Sequence, residues 1–175
     1  MDLRSWLAQV EGMGELKVVR GADWRLEIGA ITEIFQKPWQ WPQGVRPCLL
    51  FDEIKDYPKG FRVMTGIASS PRRLALTLGL EREPRDLLSL VREIKGVLKS
   101  VKRIPCRFVD DGPILANVDE GERIDLTKFP VPLWHEDDGG RYLGTGSITI
   151  TRDPDEGWVN CGTYRVMLHD ERTLG

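Results

Sequence analysis

The chain has 175 residues, a net charge of −2, and 41% hydrophobic and 30% charged residues, a make-up that excludes intrinsic disorder. The near-neutral charge and the lack of a basic block interleaved with aromatics exclude a nucleic-acid-binding protein, and no run of about twenty apolar residues is present to span a membrane. Three cysteines, far apart and without a CxxC pair, exclude a disulfide framework and a thiolate zinc site. The opening Met1-Asp2-Leu3-Arg4 leads into an amphipathic stretch rather than a signal peptide, so a cytoplasmic protein is the simplest expectation.

Asp2 is placed as an N-cap ahead of Leu3, Trp6, Leu7 and Val10 on one helical face, with Gly12 and Gly14 as the stop. Leu16, Val18 and Val19 predict a short strand. Asp23 is expected to cap a second helix with the stripe Trp24, Ile28, Ile31 and Phe35, before Pro38 and Pro42 force a loop holding Trp39 and Trp41. Cys48 to Phe51 and Phe61 to Met64 read as buried strands. Ser70 then Pro71 predict a helix start, closed by Gly79, and the short cluster Arg72-Arg73 reads as solvated surface. Pro84 opens a fourth helix in which Leu87, Leu90, Val91, Ile94, Val97 and Leu98 recur at three- and four-residue steps.

From Ile104 the pattern turns to proline, glycine and short β-like runs. Ile114 to Val118 predicts a strand and Phe129 to Pro132 an extended connector. Ser147 to Arg152 and Trp158 to Met167 predict strands joined by the hairpin loop Asp153 to Gly157. Helices before about 100 and strands after 104 give an α+β fold class. The expected organisation is an N-terminal α/β domain over 1–103, a connector over 104–124 and a β domain over 125–175.

The run Gly157-Trp158-Val159-Asn160-Cys161-Gly162-Thr163-Tyr164-Arg165 places a neutral oxygen donor, a glycine and a fixed cation within six residues of one another. A site that binds a phosphate, a metal and a carboxylate uses all three. Asn160 and Arg165 have opposite parity in a regular strand, so sharing one site calls for a bulge or bend, which is expected at Gly162. Thr145, between Gly144 and Gly146, is open either to a simple turn or to close ligand approach. The acidic run Glu136-Asp137-Asp138 lacks calcium-loop spacing and reads as a solvated loop. His135 and His169 stand apart from any nucleophile motif, and Cys161 reads as a small packed residue rather than a nucleophile.

Taken as one pattern, PVPLWHEDDGGRYLGTGSITITRDPDEGWVNCGTYRVMLHDERTLG resembles the UbiD-type decarboxylases, which use prenylated flavin mononucleotide (prFMN). The resemblance extends over essentially the whole chain and is strongest after Asp125. It implies that residues 125–175 are the first strands of a flavin-binding split β-barrel, and that the chain is the N-terminal portion of a longer enzyme. It further implies reversible, non-oxidative decarboxylation of an aromatic, heteroaromatic or α,β-unsaturated acid. In the N-x-G-x-Y-R pattern, Asn160 corresponds to a ligand of a divalent ion, Mn2+, that bridges to the flavin phosphate. The backbone at Cys161 lies near a K+ position, Thr163 and Tyr164 belong to the flavin-contacting segment, and Arg165 faces the reacting centre as a catalytic residue. Thr145 corresponds to a substrate-pocket position. The catalytic glutamate, a metal-ligating glutamate and a metal-ligating histidine are expected outside these 175 residues. A flavin prenyltransferase as cofactor supplier and a homo-oligomeric assembly are the implied partners. Two alternatives stay open: a non-catalytic partner subunit whose site is completed by another chain, and a plain FMN-binding split-barrel protein.

Overall fold

A computed structural model of the chain describes residues 2–37, 46–80, 84, 86–102, 104, 109–144 and 146–175. Thr145, the Trp39–Trp41 loop and Cys106 lie outside the described residues. Among the described residues, α-helices run over Leu3–Gly12 (α1), Glu27–Gln36 (α2), Pro71–Thr77 (α3) and Leu87–Ser100 (α4). The strands are Leu16–Arg20 (β1), Cys48–Asp52 (β2), Val63–Thr65 (β3), Arg141–Gly144 (β4), Ile148–Arg152 (β5), Val159–Thr163 (β6) and Val166–Leu168 (β7). They form small sheets in the orders β1-β2-β3, β4-β7 and β5-β6, so the fold is mixed α/β. Among the described residues no helix is long and apolar enough to cross a membrane.

The chain forms two compact units. The first comprises 1–17, 35–49 and 64–120. Asp2 caps α1 as the sequence requires: its carboxylate accepts the Ser5 N–H, and the Ser5 hydroxyl closes the reciprocal box. The helix buries Trp6 and Val10 against Cys48, with Leu7, Leu16, Met64 and Leu76 around them. Burial pushes the Cys48 thiol up to about 11, which makes it a packing group rather than a nucleophile. The indole of Trp6 donates to Thr77 Oγ1 at 3.0 Å, tying α1 to α3.

Arg73 corrects its expected place on the surface: it is fully buried. Its Nη1 donates to Glu15 Oε2 at 2.7 Å, its Nη2 to the carbonyls of Arg46 (2.6 Å) and Gly66 (2.9 Å), and its Nε to Ile67 O at 3.3 Å. A buried guanidinium is tolerated because nearly every donor is satisfied and a carboxylate balances the charge. Helix α4 starts at the Asp86 cap, whose box with Ser89 replaces the expected start at Pro84. Of its apolar stripe Leu90 is buried, whereas Leu87, Val91, Val97 and Leu98 are exposed. The segment read as a strand at 114–118 is instead a 3-10 turn over Pro113–Ala116. Proline at its first position fixes φ in the helical range, which overrides the β propensity that follows.

The second unit comprises 18–34, 50–63 and 121–175. Here α2 begins three residues later than a cap at Asp23 allows. The chain before it is used otherwise: Leu26 N–H donates to Leu133 O at 2.9 Å and Leu133 N–H to Trp24 O at 3.0 Å, a parallel bridge. Leu26 takes a positive φ of 66° to turn from that bridge into the helix. Gly29 faces the backbone of Trp134 so closely that a Cβ there would lie 1.9 Å from the Trp134 carbonyl oxygen. Helix α2 and the 133–134 segment are thus locked together. Ala22, Ile28, Leu50, Phe51, Ile54, Val131 and Leu168 are buried apolar residues of this unit.

Candidate functional site

The strand expected over 158–167 is two strands with different partners. Strand β6 pairs antiparallel with β5, Asn160 facing Thr151, Cys161 facing Ile150 and Gly162 facing Thr149. Strand β7 pairs with β4, Arg141 facing Leu168 and Tyr142 facing Met167. Tyr164 and Arg165 are the two residues at the changeover. The bulge expected at Gly162 is therefore absent, since the β5–β6 register runs through it without a slip. The pairing partner changes across 164–165, and the register irregularity lies on the partner strand, between Tyr142 and Gly144. Gly162 has a different use: a Cβ on it would come within 2.6 Å of the Tyr164 ring, which folds back across it.

Two groupings result, joined by the Tyr164–Arg165 peptide bond. In the first, the Asn160 amide nitrogen donates to the Tyr164 hydroxyl at 3.4 Å. Cys161 is exposed rather than packed, because its side chain falls on the open face of the β5–β6 hairpin with Ile148, Ile150 and Val159. Thr163 is likewise exposed, at the end of β6.

In the second grouping the Arg165 guanidinium donates from Nη2 to Asp138 Oδ1 at 3.0 Å and lies 3.9 Å from the centroid of the Tyr142 ring. Asp138, expected in a solvated loop, has a side chain only 11% exposed. Its pKa is held below the ordinary carboxylate range, first by the hydrogen bond from Arg165 and further by the His135 N–H. That N–H donates to Asp138 Oδ2 at 3.2 Å, and His135 Nε2 is 3.0 Å from Glu33 Oε1 on α2. The Tyr142 backbone is fixed on both sides, its N–H donating to Pro132 O at 3.1 Å and its carbonyl accepting the Trp134 indole at 2.9 Å. Beside it, Arg141 stacks on Trp24 at 4.0 Å and donates to Val131 O and to the Tyr57 hydroxyl.

Sequence reading names Asn160, Tyr164 and Arg165 as candidates, reads Asp138 as part of a solvated loop and gives Tyr142 no role; the structure sets Asp138 and Tyr142 against Arg165. The H-E-D-D-G-G-R-Y run carries both, and a carboxylate followed by two glycines and an aromatic was the available signal. As a donor set for a hard cation, the described residues fit in part. Asn160 offers one neutral oxygen, and among the described residues no group of three or more His, Cys, Asp or Glu could hold a metal alone.

The 3-octaprenyl-4-hydroxybenzoate carboxy-lyase N-terminal domain matches residues 7–95, and the Rift-related domain of the same enzyme, UbiD, matches residues 107–175. The chain belongs to the UbiD family. It is 36% identical over 185 residues to a pyrrole-2-carboxylic acid decarboxylase of Pseudomonas aeruginosa, covering 99% of this chain and 35% of that protein. It is 30% identical over 194 residues to ferulic acid decarboxylase 1 of Candida dubliniensis, covering 99% and 36% respectively. Among solved structures, an evolved dimeric form of the UbiD-class enzyme HmfF from Pelotomaculum thermopropionicum, in complex with prFMN, superposes with a TM-score of 0.75. The two are 31% identical, over 99% of this chain and 37% of that one. The closed form of vanillic acid decarboxylase from Sedimentibacter hydroxybenzoicus gives a TM-score of 0.83 at 26% identity, over 99% and 36%. The chain thus spans about a third of the length of the UbiD relatives it matches.

Proposed function

We propose that the chain forms part of a prFMN-dependent carboxy-lyase that reversibly decarboxylates an aromatic, heteroaromatic or α,β-unsaturated acid. Membership of the UbiD family supports this reading, as do the decarboxylase names of its relatives and the prFMN held by a solved neighbour. The observation that carries it is the Arg165 guanidinium, anchored through Nη2 on Asp138 and stacked on Tyr142, at the changeover from β6 to β7. Residues 125–175 are assigned to the start of a flavin-binding split β-barrel.

Within the proposal, Arg165 receives the substrate carboxylate. Its guanidinium is planar and always charged, and with Asp138 on Nη2 it retains further N–H donors for a second carboxylate. Asn160 contributes its amide oxygen to a divalent cation, Mn2+, that neutralises the flavin phosphate. The backbone at Cys161 is assigned to K+, Thr163 and Tyr164 to flavin contact, and Thr145 to the substrate pocket. The bound prFMN supplies an electron sink for the charge left on the organic fragment when carbon dioxide departs. Reprotonation of that fragment requires an acid. Asp138 is held ionised by Arg165 and is unsuited to the task. The resemblance to the UbiD-type decarboxylases assigns that acid to a glutamate that is not among the residues named here. Homo-oligomerisation and supply of the cofactor by a flavin prenyltransferase complete the proposal.

The test is to co-express the whole gene with a flavin prenyltransferase and record the mass and absorption spectrum of the bound cofactor. Carbon dioxide release from a panel of aromatic and acrylic acids is measured on the same preparation. A prenylated flavin with turnover of at least one acid is expected. Ordinary FMN with no carbon dioxide from any acid would overturn the proposal in favour of a plain flavin-binding protein.

A further inference from the structure

We propose that Asp138 is the positioning residue for Arg165, fixing its guanidinium on the Tyr142 ring so that the carboxylate-binding edge is formed before substrate arrives. The role in turnover rests on the function proposed above; the role in holding Arg165 does not. An arginine 48% exposed on a changeover between strands would ordinarily spread over many rotamers, at a cost in entropy each time it bound an anion. Here two contacts constrain it. The 3.0 Å bond to Asp138 Oδ1 fixes the guanidinium in its own plane, and the ring 3.9 Å away fixes the plane itself.

Both constraints stand on supported groups. Asp138 has its second oxygen held by the His135 N–H at 3.2 Å and lying 3.4 Å from His135 Nδ1. Its own N–H returns to His135 O at 3.2 Å, closing a tight turn. His135 reaches Glu33 on α2 at 3.0 Å. The line Glu33–His135–Asp138–Arg165 therefore runs from a helix to the cation through consecutive polar contacts. Tyr142 is held by Pro132 and Trp134, and Trp134 is pressed on Gly29 of the same helix. The cation is thus referenced to α2 along two routes, one polar and one packed.

In the full-length protein, Asp138→Ala should raise the rate at which phenylglyoxal modifies Arg165 several-fold, read by peptide mapping, with the other arginine peptides unchanged and the protein still folded by thermal melt. In the prFMN-loaded enzyme the same change should lower turnover by roughly ten- to a hundredfold, the scale of a misplaced reacting contact. That loss should shrink to near nothing in an Arg165→Lys background, because Asp138 acts only through Arg165. If the alanine variant fails to fold, Asp138→Asn keeps the size and the acceptor for His135 and carries the same expectation. Modification of Arg165 at the wild-type rate overturns the proposal, as does a loss of turnover equally large in both backgrounds. A wild-type enzyme that releases no carbon dioxide counts against the proposed function, and the modification rate alone then decides the role of Asp138.

Discussion

The ring of Tyr164 lies across Gly162, close enough that a Cβ at 162 would meet ring Cε2 at 2.6 Å, and its hydroxyl there receives the Asn160 amide at 3.4 Å. The ring is 53% exposed and free to swing outward, so Gly162→Ala should change stability by no more than about 0.5 kcal/mol. It should nevertheless uncouple Tyr164 from Asn160 and lower the manganese and flavin content of the complete protein. Asn160→Ala should do the same more strongly, with little change in melting temperature. Metal and flavin occupancy, measured beside a thermal melt, decide the matter: unchanged occupancy in Asn160→Ala removes Asn160 from the metal.

A second expectation concerns the fold alone. Glu15 and Arg73 form a pair with side chains 4% and 0% exposed. Glu15→Gln strands the buried guanidinium without its counter-charge and should cost about 3–5 kcal/mol in denaturant unfolding. Replacing both by methionine should restore part of that loss, since it removes the unpaired buried charge, although it also takes the Arg73 donors from the carbonyls of Arg46, Gly66 and Ile67. A double variant no more stable than Glu15→Gln would show that the carbonyls, not the charge pair, dominate.

Asp138 gives a pH dependence with a definite sign. Its folded-state pKa is depressed, chiefly by the Arg165 hydrogen bond, so the pair contributes fully above the unfolded-state pKa. The contribution is lost as pH falls through the lower folded-state value. The anchor should therefore stay intact at neutral pH and fail only below the ordinary carboxylate range. Carbon-detected NMR of the Asp138 carboxyl should show a titration midpoint that moves upward in Arg165→Met. A midpoint indifferent to that substitution would mean the pair does not persist in solution.

The local chemistry of the sequence carried most of the elements and stopped where distant partners decide. Asp2 and Ser70 were legible as caps because the hydrogen bonds they make lie within a turn. Asp23 was misread as a cap because Leu133, about a hundred residues away, captures the backbone beside it. Arg73 looked like solvated surface for the same reason: Glu15, its counter-charge, is 58 residues distant. At the site, the motif around Asn160 and Arg165 is visible as residue types. Glycine is the usual locus of a bulge, yet the β5–β6 register runs through Gly162 unbroken and the chain changes strand partner at Tyr164–Arg165. Asp138 reads as part of a solvated acidic loop because no spacing rule links it to an arginine 27 residues later.

The central claim is that Arg165 handles the substrate carboxylate in a prFMN decarboxylase, and Arg165→Lys in the complete, cofactor-loaded enzyme tests it most directly. Lysine keeps the charge and loses the planar fork that spans Asp138 and a second carboxylate, so carbon dioxide release should fall by more than about tenfold. Flavin content should match the wild type. Turnover close to wild type with flavin fully bound would contradict the account and return Arg165 to an ordinary surface charge.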